Sequence, residues 1–219
     1  MQVDLGGGSG QQHVDFHDTG KILARRQNRE TESVCNWLRG ITEPSGRNRR
    51  PGRRCIVKSV VVYGSRSGNT RRVAEAIAGV LEEYGPVRLV TAEDASATVW
   101  NHCDLLVVGG PTEGRHASPP VRAFFGRLPA HALRGLDAAA FDTRLDWPQL
   151  VTGSAARDIG RRLIDAGANM VVRPESFKVC DKPLLRHGEL ERSSIWARAV
   201  AQACHEATAR HSMAQPAVA

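Results

Sequence analysis

The feature that most constrains the fold is a nearly continuous apolar run at residues 56–63, followed directly by a helical pattern. Only Lys58 and Ser59 interrupt this run, and continuous apolar character is typical of a parallel strand that is buried on both faces. After the run, apolar side chains recur along one helix face: Val73, Ile77, Val80, Leu81 and Tyr84. The segment therefore predicts one strand and one helix of an α/β protein.

The same alternation continues along the chain. Further strands are predicted at 87–91, 104–109, 138–142 and 170–179, and helices at 119–128, 154–167 and 188–210. Ser154 is a typical helix N-cap and Gly167 a typical helix stop. Right-handed crossovers would place the helices on both faces of the sheet. The pattern therefore predicts a doubly wound, five-stranded parallel sheet.

Residues 1–55 differ from the rest because they lack sustained periodicity. Residues 1–58 hold 11 Lys and Arg against 6 Asp and Glu, so most of the net charge of +7 lies there. The arginine cluster at 47–54 could contact nucleic acid or an acidic partner, but no aromatic residue interleaves it to stack on bases. We therefore expect a disordered basic extension at 1–55, one domain at 56–210 and a frayed tail at 211–219, with no nucleic-acid partner.

The five cysteines, at positions 35, 55, 103, 180 and 204, are scattered and form no C-x-x-C pair. Neither a zinc site nor a disulfide framework is expected, which favours a reduced, cytoplasmic setting. The sequence contains no apolar run of about 18 residues and no basic start followed by an apolar stretch, so we expect neither a membrane span nor a secretory signal.

The segment between the first strand and the first helix has the composition of a phosphate-binding loop. It reads Ser65-Arg66-Ser67-Gly68-Asn69-Thr70 and offers hydroxyl donors, a glycine that permits close backbone approach, and a helix N-terminus. No lysine follows the glycine, so it is not the GxxxxGK[ST] loop, and it is not GxGxxG. The alternative is a serine-rich turn that only caps a helix.

This loop resembles the [ST]-x-[ST]-G-N-T phosphate loop of flavodoxins. Val107-Val108-Gly109-Gly110-Pro111-Thr112 is similar to the loop after the third strand in the same superfamily, and the resemblance extends over residues 57 to about 205. It implies the strand order 2-1-3-4-5, with flavin mononucleotide (FMN) at the carboxyl ends of the strands.

The resemblance also implies which residues would hold the cofactor. The phosphate would lie on residues 65–70, and the flavin ring would lie between a loop at 110–117 and a loop at 142–147. The implied cofactor-binding residues are Ser65, Arg66, Ser67, Gly68, Asn69, Thr70, Pro111, Thr112, Glu113, Gly114, Asp142, Thr143, Arg144 and Trp147. Flavodoxins usually stack an aromatic side chain from the second loop, whereas here that loop has none except His116. Trp147 is the only large ring well placed to stack, and it could equally be a loop anchor.

The sequence thus favours an FMN-binding redox protein that transfers electrons or reduces a small acceptor. Such a protein would work with a redox partner protein, either a reductase or an acceptor. A narrower variant is a flavin-dependent oxidase of a tetrapyrrole precursor. The rival hypothesis is a flavin-free interaction or regulatory module that kept the fold. No residue stands out as catalytic and no metal site is expected.

Overall fold

The structure is a computed structural model, and it describes residues 56–96, 98–147, 153–180 and 184–214. The predicted extension at 1–55 and residues 215–219 lie outside these ranges. Within them the chain forms seven strands and four helices. In order these are β1 (Ser59–Tyr63), α1 (Asn69–Leu81), β2 (Val87–Thr91), β3 (Leu105–Glu113), β4 (His116–Ala117), α2 (Pro119–Gly126), β5 (Asp137–Leu145), α3 (Ala155–Asp165), β6 (Asn169–Met170), β7 (Glu175–Val179) and α4 (Glu189–Ala214). Helix α4 therefore continues past its predicted end at residue 210. No helix in the described ranges is both long enough and apolar enough to cross a membrane.

The sheet confirms the predicted α/β class and strand order. Its path is β2-β1-β3-β5-β6, and the pairings along this path are parallel. The strand expected at 170–179, with an interruption at Pro174, forms two short strands, because both β6 and β7 pair with β5 while residues 171–174 pass between them. Pro174 lies in this gap, and proline has no N–H to donate to a strand ladder. Strands β6 and β7 therefore together take the fifth place in the predicted strand order.

Two segments predicted as loops are partly strand. Strand β3 continues through Glu113 and folds back on itself through β4, and β5 continues to Leu145. Strand β1 pairs with β3 only as far as Gly109, so no ladder bond toward β1 is required at Pro111. On the other side Pro111 still pairs with Thr143 of β5. The glycine and proline that indicate a loop in the sequence are therefore tolerated at the end of this strand.

Each face of the sheet carries its own apolar core. On one face, Val61 and Val107 pack with residues of α1 and α4, including Ile77 and Val200. On the other, Val60 and Val62 pack with side chains of α2 and α3, including Phe124 and Ile159. Burial on both faces explains why β1 is apolar without alternation. The two layers of helices leave the carboxyl ends of the strands as an open edge.

Candidate functional site

Three sequence-predicted segments meet at the carboxyl edge of the sheet. Thr70, at the start of α1, lies with its Oγ1 2.7 Å from Oγ1 of Thr143 on β5. Thr112, at the end of β3, donates from Oγ1 to Oδ2 of Asp142 at 3.1 Å. The first loop, residues 65–70, also approaches the end of β3, since Arg66 Nη1 lies 3.9 Å from Glu113 Oε1. The first loop, the end of β3 and the end of β5 are therefore neighbours in space.

The loop between β1 and α1 has an open, left-handed turn at its centre. Gly68 is the N-cap of α1 with φ of 85°, and a Cβ added there would meet no atom within 4 Å. Ser65 Oγ accepts a hydrogen bond from the amide N of Arg71 at 3.3 Å, which fixes the loop to the first turn of α1. Glycine adopts this backbone conformation at no steric cost, whereas most other residues are strained there. The backbone conformation therefore favours glycine at position 68, and the space above this turn is open.

The first loop presents backbone donors that the described chain does not use. Among the described residues, the amide N–H groups of residues 66–70 donate to no acceptor. They lie at the N-terminus of α1, where the helix dipole adds partial positive charge. Unpaired N–H groups at a helix start form a ready anion-binding site. The phosphate loop that the sequence motif predicts is compatible with this geometry and stays a prediction.

Thr70 and Thr143 form a hydroxyl pair beside this loop. Both side chains are buried, with exposed fractions of 2% and 4%. Each hydroxyl has one proton, and only one proton is used in the bond between them. One of the two hydroxyls therefore retains a donor. The pair also joins the start of α1 to β5 across the sheet edge.

The N-terminus of α3, by contrast, is closed by side chains of the chain itself. Asp142 is fully buried, and its Oδ2 accepts from Ser154 Oγ at 2.8 Å and from the amide N of Ala156 at 2.8 Å, in addition to Thr112. Thr112 Oγ1 accepts from the amide N of Ala155 at 2.9 Å. Ser154 also accepts from Arg157, which confirms it as the N-cap of α3. Oδ1 of Asp142 is buried and has no hydrogen-bond partner among the described residues.

The second segment is a tight hairpin rather than an open loop. Gly114 and Arg115, with φ of 53° and 75°, form its two-residue turn between β3 and β4. Positive φ at both positions is the signature of a type I′ turn. The backbone of Arg115 bridges to Gly153, where an added Cβ would lie 2.6 Å from the Cα of Arg115. The hairpin tip therefore rests on the chain that enters α3.

The third segment is charged and partly exposed. Arg144 Nη1 donates to the carbonyl oxygen of Trp147 at 2.8 Å, and the Trp147 side chain is 51% exposed. Asp146 pairs with Arg186 at 2.5 Å and with Lys178 at 3.9 Å. Burial, followed by the nearby guanidinium of Arg144, lowers the pKa of the Lys178 amine. Residues 148–152, which would complete this segment, lie outside the described ranges.

A cavity of about 280 Å³ opens between the first loop and the hairpin. Four of the sequence-predicted site residues line it: Ser65, Arg66, Pro111 and Glu113. Sequence reasoning missed the other lining residues, namely Glu93, Ser118, Pro119 and Pro120. Ser118 followed by two prolines indicates only a helix start, so the sequence carried no signal that these residues face a cavity.

Comparison with known protein families gives a match to part of the chain. A family model described as a flavodoxin domain matches residues 60–146. No curated protein sequence matches the chain.

Similar solved structures show the same fold. They include a flavodoxin from the domain Archaea, at 22% identity and a TM-score of 0.54, covering 67% of this chain and 98% of that one. Flavodoxin 2 from Bacillus cereus is 23% identical, with a TM-score of 0.57 and coverage of 66% and 98%. Rubredoxin oxygen:oxidoreductase from Desulfovibrio gigas is 19% identical, with a TM-score of 0.53, and here the match covers 68% of this chain but 36% of that longer one.

The family match includes β1, the first loop, the hairpin and β5, which are the segments that build the carboxyl edge. The structural matches extend over nearly the full length of the two flavodoxins. Taken with the strand order, these findings show that the chain has a flavodoxin-like fold.

Proposed function

We propose that this chain binds FMN at the carboxyl edge of its sheet and acts in electron transfer or in flavin-dependent reduction of a small acceptor. The flavodoxin-like family and fold support a flavin-binding, redox-type function. The single observation that carries the choice of a phosphate-bearing flavin is the set of free amide donors at residues 66–70. A redox partner protein, either a reductase or an acceptor, is part of the proposal.

The residues of the edge fit a flavin phosphate in three respects. The first loop supplies unpaired N–H groups at a helix N-terminus, Gly68 leaves the space above the turn open, and the Thr70–Thr143 pair retains a hydroxyl donor. The hairpin differs from the family pattern, because Glu113 and His116 stand where an aromatic ring is usual. Trp147 therefore remains our proposed contact with the flavin ring.

Each group has a separate task in this proposal. The amides of residues 66–70 bind the phosphate, and Asp142 fixes the start of α3 so that β3 and β5 keep their spacing. When bound, the flavin supplies the redox chemistry, because it carries one or two electrons while the surrounding protein sets its potential. No acid–base residue is assigned.

The test is a titration of the full chain with FMN, followed by quenching of flavin fluorescence. Gly68→Ala should weaken FMN binding at least tenfold, because a Cβ at positive φ strains the turn and hydrogen bonds to charged groups contribute about 1.5–3 kcal/mol each. Gly135→Ala is the matched control. Gly135 has φ of 76° and no atom within 4 Å of an added Cβ, but it precedes β5 at the opposite edge of the sheet.

Riboflavin, which has no phosphate, should bind the unaltered protein and Gly68→Ala equally well. Equal FMN affinities of the two glycine variants would contradict the phosphate assignment. An unaltered protein that ignores added FMN would instead support the alternative function, a flavin-free interaction or regulatory module with this fold.

A further inference from the structure

We propose that the exposed side of α3, together with the tip of the β3–β4 hairpin, is the docking surface for the redox partner, and that the partner presents an acidic face to it. This inference rests on the proposed function and deepens it, because it names the kind of partner and the place where the partner binds. We define the docking surface by five residues: Arg115, Arg157, Arg161, Ile164 and Arg173.

Three exposed side chains form a stripe along α3. Arg157, Arg161 and Ile164 follow one another at intervals of four and three residues, which places them on the same side of the helix. All three are exposed, and Ile164 is 58% exposed although it is apolar. The other side of α3 packs into the core through Ile159 and Leu163. Helix α3 therefore presents two cations and one apolar side chain to the solvent.

Arg157 and Arg161 line two hollows in the surface. One hollow, of about 480 Å³, reaches the hairpin tip at Arg115. The other hollow, of about 640 Å³, is lined on its far side by Ile164, Met170, Val171, Val172 and Arg173. A basic region and an apolar region thus adjoin each other at α3.

The positive charge of this surface is not balanced by the described chain. Its four arginines form no ion pair with a described residue: Arg115, Arg157, Arg161 and Arg173. Among the described residues that line the two hollows, Asp158 is the one carboxylate, and its oxygens already accept from Arg162 and from the amide N of Ala117, both at 3.2 Å. Asp165, at the end of α3, lines neither hollow. Carboxylates of a partner would therefore meet guanidinium groups that are still available.

Three of these arginines lie where they do not stabilise the fold. Arg157 is in the first turn of α3, where the helix dipole disfavours a cation. Arg161 follows it by four residues, and like charges at this spacing repel each other. Arg115 has φ of 75°, a conformation that glycine adopts more readily. Because such departures from local rules concentrate at functional sites, a binding role accounts for these arginines better than folding does.

The docking surface begins beside the proposed flavin site. Arg115 directly follows Gly114, to which the resemblance to flavodoxins assigns a flavin contact, and the two residues form the hairpin tip. The backbone of Arg115 also bridges to Gly153, close before α3. A partner seated on α3 would thus lie next to the hairpin that borders the proposed flavin.

The composition of the surface favours a protein partner over a nucleic acid. Protein interfaces are enriched in arginine and have an apolar centre, and Ile164, Val171 and Val172 supply apolar surface here. Proteins that bind single-stranded nucleic acid stack its bases on aromatic side chains, but the described residues around the two hollows include no Phe, Trp or Tyr. A protein face rich in Asp and Glu is therefore the better match.

The experiment uses two forms of one redox protein that differ in charge. Native cytochrome c is basic, and succinylation of its lysines makes it acidic while the haem stays the same. The full chain is loaded with FMN and reduced. One electron then passes from the flavin to the ferric haem, which becomes ferrous, and stopped-flow haem absorbance gives the rate constant. The unaltered chain should reduce the succinylated form faster than the native form at low salt, and added salt should slow this reaction because it screens the attraction.

Charge reversal on α3 should remove this preference. The double variant Arg157→Glu, Arg161→Glu should reduce succinylated cytochrome c about tenfold more slowly at low salt. The double variant Arg157→Gln, Arg161→Gln should lose less in the same direction, and it tests the surface if the first variant does not fold.

Arg134→Glu combined with Arg210→Glu is the matched control, because it changes the net charge equally. Both arginines are exposed and form no ion pair with a described residue. Arg134 lies between α2 and β5, and Arg210 lines a cavity with Asp137, the first residue of β5, so both lie at the opposite edge of the sheet. The control should keep the rate constant of the unaltered chain at the same salt concentration.

Nuclear magnetic resonance gives a second readout that needs no bound flavin. When succinylated cytochrome c is added to the isotope-labelled full chain, the amide signals of α3 and of the hairpin tip should shift. Shifts confined to the arginine-rich residues 47–54 would overturn the inference. Larger shifts of the α3 signals with a DNA oligonucleotide than with the succinylated protein would also overturn it, because the surface would then suit a nucleic acid.

The kinetic outcomes separate this inference from the proposed function. Equal rate constants for the α3 variant and the matched control would overturn the inference while FMN binding stands, since net charge alone would then explain the attraction. Faster reduction of native than of succinylated cytochrome c at low salt would overturn it too. If the unaltered chain binds no FMN, the proposed function fails, whereas shifted α3 signals would still support an acidic docking partner and unshifted signals would overturn it.

Discussion

Replacing Asp142 by alanine should destabilise the domain more than any other single carboxylate change at the sheet edge. Asp142 is fully buried, and its Oδ2 accepts hydrogen bonds from Thr112, Ser154 and the amide of Ala156. The change would leave the Ala156 N–H and the Ser154 hydroxyl buried without this acceptor. The start of α3 would then lose its tie to β3 and β5.

The magnitude follows from these three bonds. Hydrogen bonds to a charged group contribute about 1.5–3 kcal/mol each, but three bonds to one oxygen do not add fully. We expect Asp142→Ala to lower the free energy of unfolding by about 3–5 kcal/mol, a large part of the roughly 5–15 kcal/mol of a typical domain. Asp142→Asn keeps an acceptor at the Oδ2 position, but it places an amide NH₂ where Oδ1 has no partner. It should lower the free energy of unfolding by about 1–3 kcal/mol.

Urea denaturation followed by far-ultraviolet circular dichroism measures these differences. Asp94→Ala is the control, because Asp94 also accepts from a threonine hydroxyl, at 2.7 Å, but is exposed to solvent. Its midpoint should match that of the unaltered protein. A loss below about 1 kcal/mol in Asp142→Ala would refute the reasoning, since the carboxylate would then not be holding the start of α3.

Three further predictions concern packing, thiol labelling and the pH dependence of stability. Gly109→Ala should lower the free energy of unfolding by about 1–3 kcal/mol or more, because the added Cβ would lie 2.1–2.4 Å from the ring of Phe141. Gly79→Ala in α1 should raise the free energy of unfolding by about 0.5–1 kcal/mol, because the added Cβ would have no atom within 4 Å. Thermal unfolding distinguishes the two variants. Burial raises the pKa of Cys103 and of Cys204 to about 12, so peptide mapping after alkylation of the native protein should find exposed Cys180 labelled and these two thiols protected. Since an unfolded thiol has its ordinary pKa near 9, the stability contributed by the two protonated thiols should be complete below pH 9 and fall between pH 9 and 12.

The strand and helix order was predictable because its signals are local. The apolar run at 56–63 has no alternation because both faces of β1 are covered, and the helical spacing after Thr70 repeats within one element. The turn at the start of α1 was equally predictable, since φ of 85° at Gly68 favours glycine. Each of these signals lies within a few neighbouring residues.

The ends of β3 and β5 were not predictable because distant pairing determines them. Pro111 and Thr143, which look like loop residues in the sequence, are aligned as neighbours by the register between the two strands. The bond between Thr112 and Asp142 joins residues 30 positions apart, and the Thr70–Thr143 pair joins residues 73 positions apart. Pattern reasoning placed these residues near a site but could not assign their partners.

The contrast between the starts of α1 and α3 decides where an anion can bind. Both helices begin at the carboxyl edge of the sheet, and both have a dipole that favours negative charge. At α3 the first amides are already paired, that of Ala155 with Thr112 and that of Ala156 with Asp142, and a carboxylate occupies the site. At α1 the amides of residues 66–70 have no acceptor in the described chain, and no acidic residue lies in the first turn. An added anion at α3 would have to displace a buried carboxylate, whereas at α1 it would meet only free donors. In the proposed FMN complex, the closed start of α3 therefore leaves the first loop as the place for the phosphate.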